Sequence, residues 1–341
     1  MPDYAAIRPG EALDWESLEA YLRPLLPGAE GPFSVAQFHG GHANLTYLVR
    51  FGEREFVLRR PPFGKIAPGA HDMRREYRVL SALHPFFAPA PRAHLLCVND
   101  AVIGADFVVM ERRSGVVIRT GLPDGFTDAD KPRLTDALMK VCADLHLVDV
   151  SAAGLDELGK PAGFAARQLR GWQKRWALAK TEDNPDMDRL FEKLGEDVPA
   201  PQRVSIVHGD LKFDNCQFQA GAPDRVTSVF DWDMATLGDP LIDLGGLLSF
   251  WPDPRLGKMP AGFLQGDWPE KTYLKEKYAE YSGLDLSRMP WYEALACAKT
   301  AVIAQQLYAR YVAGATQDKR MAKFGAAAKA FAGLGKHILR N

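Results

Sequence analysis

Apolar positions in the early part of the chain switch between two periods. Leu13, Trp15, Leu18, Tyr21, Leu22 and Leu25 recur at helical spacing and Pro27-Gly28 ends the run, which predicts an amphipathic helix near the N-terminus. Ser34 to His39, Asn44 to Phe51 and Glu55 to Arg59 are rich in β-branched and aromatic residues. Gly40-Gly41 and Gly52 separate them, so they predict an antiparallel sheet. From Asp72 to Leu83 the period lengthens again and places Tyr77, Leu80 and Leu83 on one helical face. Two further strands are expected near Ala93 to Val98 and Val102 to Met110.

Helical periodicity then dominates. Arg133 to Val148 sets Leu134, Leu138, Val141 and Leu145 on one stripe, and similar patterns cover Phe164 to Leu178 and Asp186 to Leu194. Val204 to Val207 and Val226 to Phe230 read as short buried strands. Pro290 to Ala313 carries proline at a first-turn position and stops at Gly314, and Gln317 to Leu339 predicts a last helix. The shift in pattern divides the chain into residues 1–111 and 112–341, with the boundary expected at Glu111 to Gly115.

The 341 residues carry 42 Lys and Arg against 43 Asp and Glu, so charge calls for neither nucleic-acid binding nor membrane attraction. The N-terminus lacks a basic segment followed by an apolar core, and no uncharged apolar run approaches the roughly 18 residues of a membrane span. A cytoplasmic protein is expected. Cys97, Cys142, Cys216 and Cys297 are scattered, without C-x-x-C pairs or histidines at metal-ligand spacing, which argues for reduced thiols rather than zinc or disulfides.

The segment with chemical content is His208-Gly209-Asp210-Leu211-Lys212-Phe213-Asp214-Asn215, followed after a strand by Asp231-Trp232-Asp233. Asp and Asn at strand ends often just cap turns. This joint spacing, however, supplies a proton acceptor in Asp210 and two oxygen donors in Asn215 and Asp231. Phosphoryl transfer needs such a set: one carboxylate meets the acceptor hydroxyl, and hard oxygen ligands hold Mg²⁺ on the nucleotide phosphates.

These residues, with Gly238-Asp239-Pro240-Leu241-Ile242-Asp243-Leu244, resemble the aminoglycoside phosphotransferase and choline kinase group. Gly40-Gly41-His42-Ala43-Asn44-Leu45-Thr46-Tyr47, Val57-Leu58-Arg59-Arg60-Pro61-Pro62 and Arg75-Glu76-Tyr77-Arg78-Val79-Leu80 are similar to the branch also found fused to acyl-CoA dehydrogenase domains. The resemblance implies an α+β, bilobal protein-kinase-like fold, with an N-terminal antiparallel sheet and helix and a larger, mainly helical C-terminal lobe. It also implies ATP and Mg²⁺ as cofactors, Asp210 as base, and Asn215 and Asp231 as metal ligands. Arg59 stands where the family usually has the lysine that holds the α- and β-phosphates, with Glu76 as the matching helix acid.

Gly40 and Gly41 could let backbone amides approach phosphate oxygens, although paired glycines between strands are also plain turns. Lys65 and His71 flank a Pro/Gly-rich loop that could fold over a triphosphate, and Glu111 would lie at the nucleotide hinge. Asp239 and Asp243 are expected to hold loops and cap the helix near Pro240. From Phe250 to Asn341 there are fourteen Lys and Arg against eight Asp and Glu, and Arg167, Arg170, Trp172, Lys174 and Arg175 add a basic, aromatic segment. Such a wall suits an anionic acceptor with a flat or apolar part, such as a hydroxyacyl-CoA, better than a polycation; solvated helix faces would give the same composition. The competing readings are a kinase for an aminoglycoside or choline-like amino alcohol, a protein kinase, and a nucleotide-binding regulatory module without catalysis. The absence of D-F-G and A-P-E after Asp231 argues against the protein kinase.

Overall fold

A computed structural model describes residues 3–40, 44–64, 71–257 and 263–340. The chain packs as two compact units: Met1–Gly115 with Ser151–Leu155 and Thr227–Ala235, and Val116–Val150 with Asp156–Val226 and Thr236–Asn341.

The first unit contains β1 (Tyr4–Ala5), α1 (Trp15–Leu22), β2 (Phe33–Phe38), β3 (Leu45–Phe51), β4 (Arg54–Arg60), α2 (Met73–Leu83), β5 (Ala93–Cys97), α3 (Asp100–Ile103) and β6 (Phe107–Glu111). Its strands form one antiparallel sheet in the order β1-β2-β3-β4-β6-β5. Tyr47, Val49 and Phe51 of β3 share a core with Phe56 and Leu58 of β4 and with Leu18 and Leu22 of α1. Leu48 and Val108, at intervening positions, are fully buried too, so the central strands are covered on both faces. Helix α2 starts where the Asp72 carboxylate accepts the Arg75 amide at 3.0 Å. Its inward stripe comprises Met73, Val79, Leu80 and Leu83, and Glu76 lies among them with no exposure.

One expected element is corrected here. The strand expected from Val102 begins only at Phe107, because Asn99 caps a short helix through the Ala101 amide and Gly104, at φ 78°, ends it. Those start and stop signals outweigh the apolar pair Val102-Ile103.

The second unit contains β7 (Val116–Val117), α4 (Lys131–Leu147), α5 (Phe164–Ala179), α6 (Pro185–Glu196), β8 (Ser205–Val207), β9 (Cys216–Gln219), β10 (Ala222–Val229), β11 (Thr236–Gly238), α7 (Leu241–Phe250), α8 (Lys271–Ser282), α9 (Met289–Val312) and α10 (Phe324–Ile338). Small sheets β10-β9-β7 and β11-β8 punctuate the helices. The last residues of β10 belong to the first unit, which receives Asp231 directly after that strand. Strand β10 is longer at its start than the expected Val226 to Phe230, since its first half carries Pro223, a residue that masks strand character. The helix expected from Gln317 starts at Phe324 after a 3₁₀ turn, Lys319–Lys323. Helix α8 escapes sequence reading because it buries only Leu274 and Tyr278 and so shows no apolar stripe.

Helix α9 is the centre of this unit, packing on α5, α7 and α10. Residues Trp291 to Ala298 are all buried, so the helix is apolar around most of its circumference there. Its crossing with α7 is tight: a Cβ on Gly245 would lie 2.6 Å from the Tyr292 carbonyl oxygen. Among the described residues no helix is long and apolar enough to cross a membrane.

Candidate active site

In the first unit the polar centre is built around Arg59. Register pairs Arg59 with Thr46 on β3 and Val108 on β6, so the residue sits mid-sheet. Its guanidinium reaches Glu76 Oε1 through Nη1 at 2.9 Å and Asp231 Oδ1 through Nη2 at 2.6 Å. A buried cation here stays charged because two carboxylates face it, which outweighs the cost of its burial. Burial pushes the Glu76 carboxyl up, and Arg59 opposes that rise. Arg59 Nε and Glu76 Oε2 are buried without hydrogen-bond partners among the described residues, so the pair holds polar capacity in reserve.

Asp231 adopts φ 74°, a left-handed conformation that only Asp and Asn among side-chain-bearing residues visit readily. What holds it there is the next residue: Trp232 is fully buried, its Nε1 donating to the Val229 carbonyl at 2.9 Å and its ring set edge-on to Phe87. The indole thus anchors both flanking carboxylates. Asp233 accepts from Asn44 Nδ2 at 3.2 Å, and Asn44 Oδ1 in turn lies 2.9 Å from His71 Nδ1. Burial and the neighbouring Asp231 raise the Asp233 carboxyl above its usual range, against Arg59 and Asn44. Asn44 is a site residue that sequence reading left without a role; its one signal was its place after the glycine pair. Gly40 lies two residues beyond β2, whereas Gly41 and Lys65 lie outside the described residues. Glu111 closes β6, where its carboxylate accepts the Arg92 amide at 3.0 Å and pairs with Arg113 at 2.9 Å.

In the second unit the loop after β8 is clamped by Asp243 from the first turn of α7. The two carboxylate oxygens accept the amides of His208 and Gly209 at 2.6 and 2.7 Å. His146 Nε2 is 3.2 Å from the same carboxylate, and its Nδ1 is 2.7 Å from the Tyr278 hydroxyl. An ionised carboxylate only accepts, so Nε2 donates to it. Burial disfavours the Asp243 charge, yet the hydrogen bonds from His146 and Gly209 prevail and hold its carboxyl below the usual range. Asp239 precedes the first residue of α7 by two and accepts the Leu241 amide at 3.1 Å, and Tyr292 donates to it at 2.5 Å.

This clamp presents Asp210. Gly209 has φ 88°, a turn that glycine adopts without strain. Asn215 Nδ2 donates to the Asp210 carbonyl at 2.8 Å and to its carboxylate at 3.1 Å, which leaves the Asn215 carbonyl oxygen available. Lys212 Nζ is 2.9 Å from Asp210 Oδ2 and 3.7 Å from Asp214 Oδ2. From α9, Lys299 Nζ donates to the Gly209 carbonyl at 3.0 Å. Lys212 and Lys299 are further site residues without a predicted role. Lys212 was within reach of the motif, but Lys299 gives no signal in sequence. Cys216 follows this loop, buried, and burial pushes its thiol well up, away from the thiolate that reactive cysteines need. Of the basic segment on α5, Arg175 stacks over Trp172 at 4.5 Å, while Arg170 and Lys174 are exposed.

Among the described residues no three His, Cys, Asp or Glu side chains group as a metal cage. Mg²⁺ asks less: one or two protein oxygens, with water and phosphate completing the shell.

Comparison with known proteins places these observations. Residues 34–281 match the Phosphotransferase enzyme family. Acyl-CoA dehydrogenase family member 11 of Pongo abelii is 33% identical over 323 residues, covering 92% of this chain and 41% of that protein, so the chain spans about two fifths of that relative's length. A solved protein of Ralstonia eutropha JMP134, assigned to the aminoglycoside phosphotransferases, superimposes with a TM-score of 0.83 at 31% identity, over 96% of this chain and 99% of the other. Choline kinase of Cryptosporidium parvum Iowa II shares the fold, with a TM-score of 0.66 at 12% identity over 95% of each chain. The chain therefore belongs to the phosphotransferase enzyme family and carries its kinase-like fold, an antiparallel N-terminal sheet followed by a helical C-terminal part.

Proposed function

We propose that the protein transfers the γ-phosphoryl group of ATP to a hydroxyl of a small molecule, with residues 1–111 serving the nucleotide and residues 112–341 the catalysis and the acceptor. The observation that carries this is the buried Arg59–Glu76 pair extended to Asp231, the arrangement a nucleotide-phosphate site needs from strand, helix and metal-binding carboxylate. Arg59 binds phosphate oxygens through its planar fork. Glu76 keeps the fork in place, and Gly40 and Gly41 admit the phosphates close to the backbone. Glu111, at the end of β6, borders the nucleotide. Mg²⁺, bound through Asn215 and Asp231, would neutralise charge on the β- and γ-phosphates.

Asp210 accepts the proton of the attacking hydroxyl, a contribution of about 10²–10⁴-fold. Asn215 orients it through the 3.1 Å contact, and Asp243 fixes the backbone that carries it. The acceptor class we favour is a hydroxyacyl-CoA. Support comes from Lys212 and Lys299 beside Asp210 and its loop and from the name of the relative from Pongo abelii. A nucleotide-dependent enzyme with buried, reduced thiols suits the cytoplasm.

The test is phosphoryl transfer from ATP and Mg²⁺ to hydroxyacyl-CoAs, amino alcohols and aminoglycosides, read by mass spectrometry, with Asp210→Asn as control. Product with wild type alone is expected. Equal product from Asp210→Asn removes Asp210 as base, and nucleotide binding without transfer to any acceptor sinks the enzymatic reading.

A further inference from the structure

The chemistry above leaves one charged group beside the catalytic loop without a task. Lys299 lies on α9 among Ala296, Cys297, Ala298, Ala301 and Val302, all buried. An ammonium on such a face loses hydration, and burial lowers its affinity for the proton while Asp210 and Asp243 act the other way. The side chain is half-buried, and its Nζ donates to the Gly209 carbonyl at 3.0 Å. An ammonium has three donors. Among the described residues Gly209 is its one hydrogen-bond acceptor, so two N–H groups are left for a ligand.

Its neighbours sharpen the contrast. Lys212 is engaged by both Asp210 and Asp214. Arg175, stacked on Trp172, lies close enough to oppose the Lys299 charge. A carboxylate meant to take a proton is thus bordered by cations, one of which, Lys299, donates to a carbonyl and to no carboxylate among the described residues. A polycationic acceptor would be repelled at this place, and an acceptor with an oxyanion would fill it.

We infer that Lys299 is a specificity-determining residue whose two remaining N–H groups bind an oxyanion of the acceptor, phosphate or carboxylate, and so bring its hydroxyl to Asp210. This rests on the reading of the chain as a phosphotransferase and narrows its acceptors to anions. Lys299→Met removes the charge at similar length; Lys299→Arg keeps it.

Binding calorimetry with coenzyme A as phosphate probe, 4-hydroxybutyrate as carboxylate probe and choline as cationic control decides the matter without turnover. At least one anion should bind wild type, and Lys299→Met should weaken it about tenfold or more, the worth of a charge-assisted hydrogen bond. Lys299→Arg should retain most of the affinity, and the two anions tell which oxyanion is read. Should Lys299→Met fail to fold, wild-type Lys299 must still be shielded from amine acetylation by the binding probe and not by choline. The inference is overturned if neither anion binds, if Lys299→Met binds them as tightly as wild type, or if Lys299 stays equally reactive with the probe bound. Phosphorylation of choline undiminished in Lys299→Met would sink this inference and leave the phosphotransferase reading intact. Absence of transfer to every acceptor, with anion binding still lost in Lys299→Met, would sink the phosphotransferase reading and leave Lys299 as an anion site alone.

Discussion

Arg59 joins three segments far apart in sequence, and its geometry explains why arginine serves there. One planar fork meets Glu76 and Asp231 at once, at 2.9 and 2.6 Å, which a single ammonium does with less directional control. Replacing it by methionine strands the Glu76 carboxylate, which has no exposure. Arg59→Met should therefore lose about 3–5 kcal/mol in urea unfolding, whereas Glu76→Gln, which keeps a hydrogen-bond acceptor, should lose less. The pairing expected of Arg59 and Glu76 came from the family that the segments around them resemble. Lys299 was invisible because its link to Gly209 spans 90 positions, and nothing local distinguishes a lysine that faces the Asp210 loop from one that faces water.

At the scale of elements, the loop carrying Asp210 is held by helices that lie far along the chain. Asp243 on α7 takes two loop amides and His146 of α4, so Asp243→Asn, which removes the charge and one accepting oxygen, should cut turnover by at least about tenfold. Nucleotide affinity should change much less, and the split between kcat and binding checks this. Helix α7 must also cross α9 closely. Gly245→Ala would set a Cβ 2.6 Å from the Tyr292 carbonyl, a backbone atom that cannot swing away, and should cost about 1–3 kcal/mol in thermal or urea melts. Long helices such as α4 and α5 are legible because a stripe of apolar residues repeats through them. Helix α8 is not, since its burial rests on two residues, and α3 is decided by the Asn99 cap and Gly104 rather than by hydropathy.

For the whole molecule, ligand and pH dependence follow from the same groups. ATP with Mg²⁺ at about 100 times its Kd should stabilise the unit it binds by about 2.7 kcal/mol. Asp231→Ala should abolish the Mg²⁺-dependent part of that gain, measured as the shift in Tm with and without chelator. Acid should act partly through Asp253, which is buried and accepts from Arg255 and Lys271. Burial works against its charge, but those hydrogen bonds hold the carboxyl well below the usual 3.8. A group with a depressed folded pKa stabilises above its unfolded value and loses that contribution as pH falls through the folded one. Asp253→Asn should therefore be less stable than wild type at pH 7, with the two curves converging as pH drops below 3.8. The sequence by itself determined the order of the longer strands and helices, α3 and α8 apart, and the spacing of the phosphotransfer motif, because periodicity, turn residues and motif spacing act over short stretches of chain. Tertiary structure alone decided that Asp243 clamps the Asp210 loop, that buried Trp232 anchors Asp231 and Asp233, and that Lys299 reaches Gly209. Those contacts join residues tens of positions apart, or turn on which side chain is buried, and only packing brings them within hydrogen-bond range.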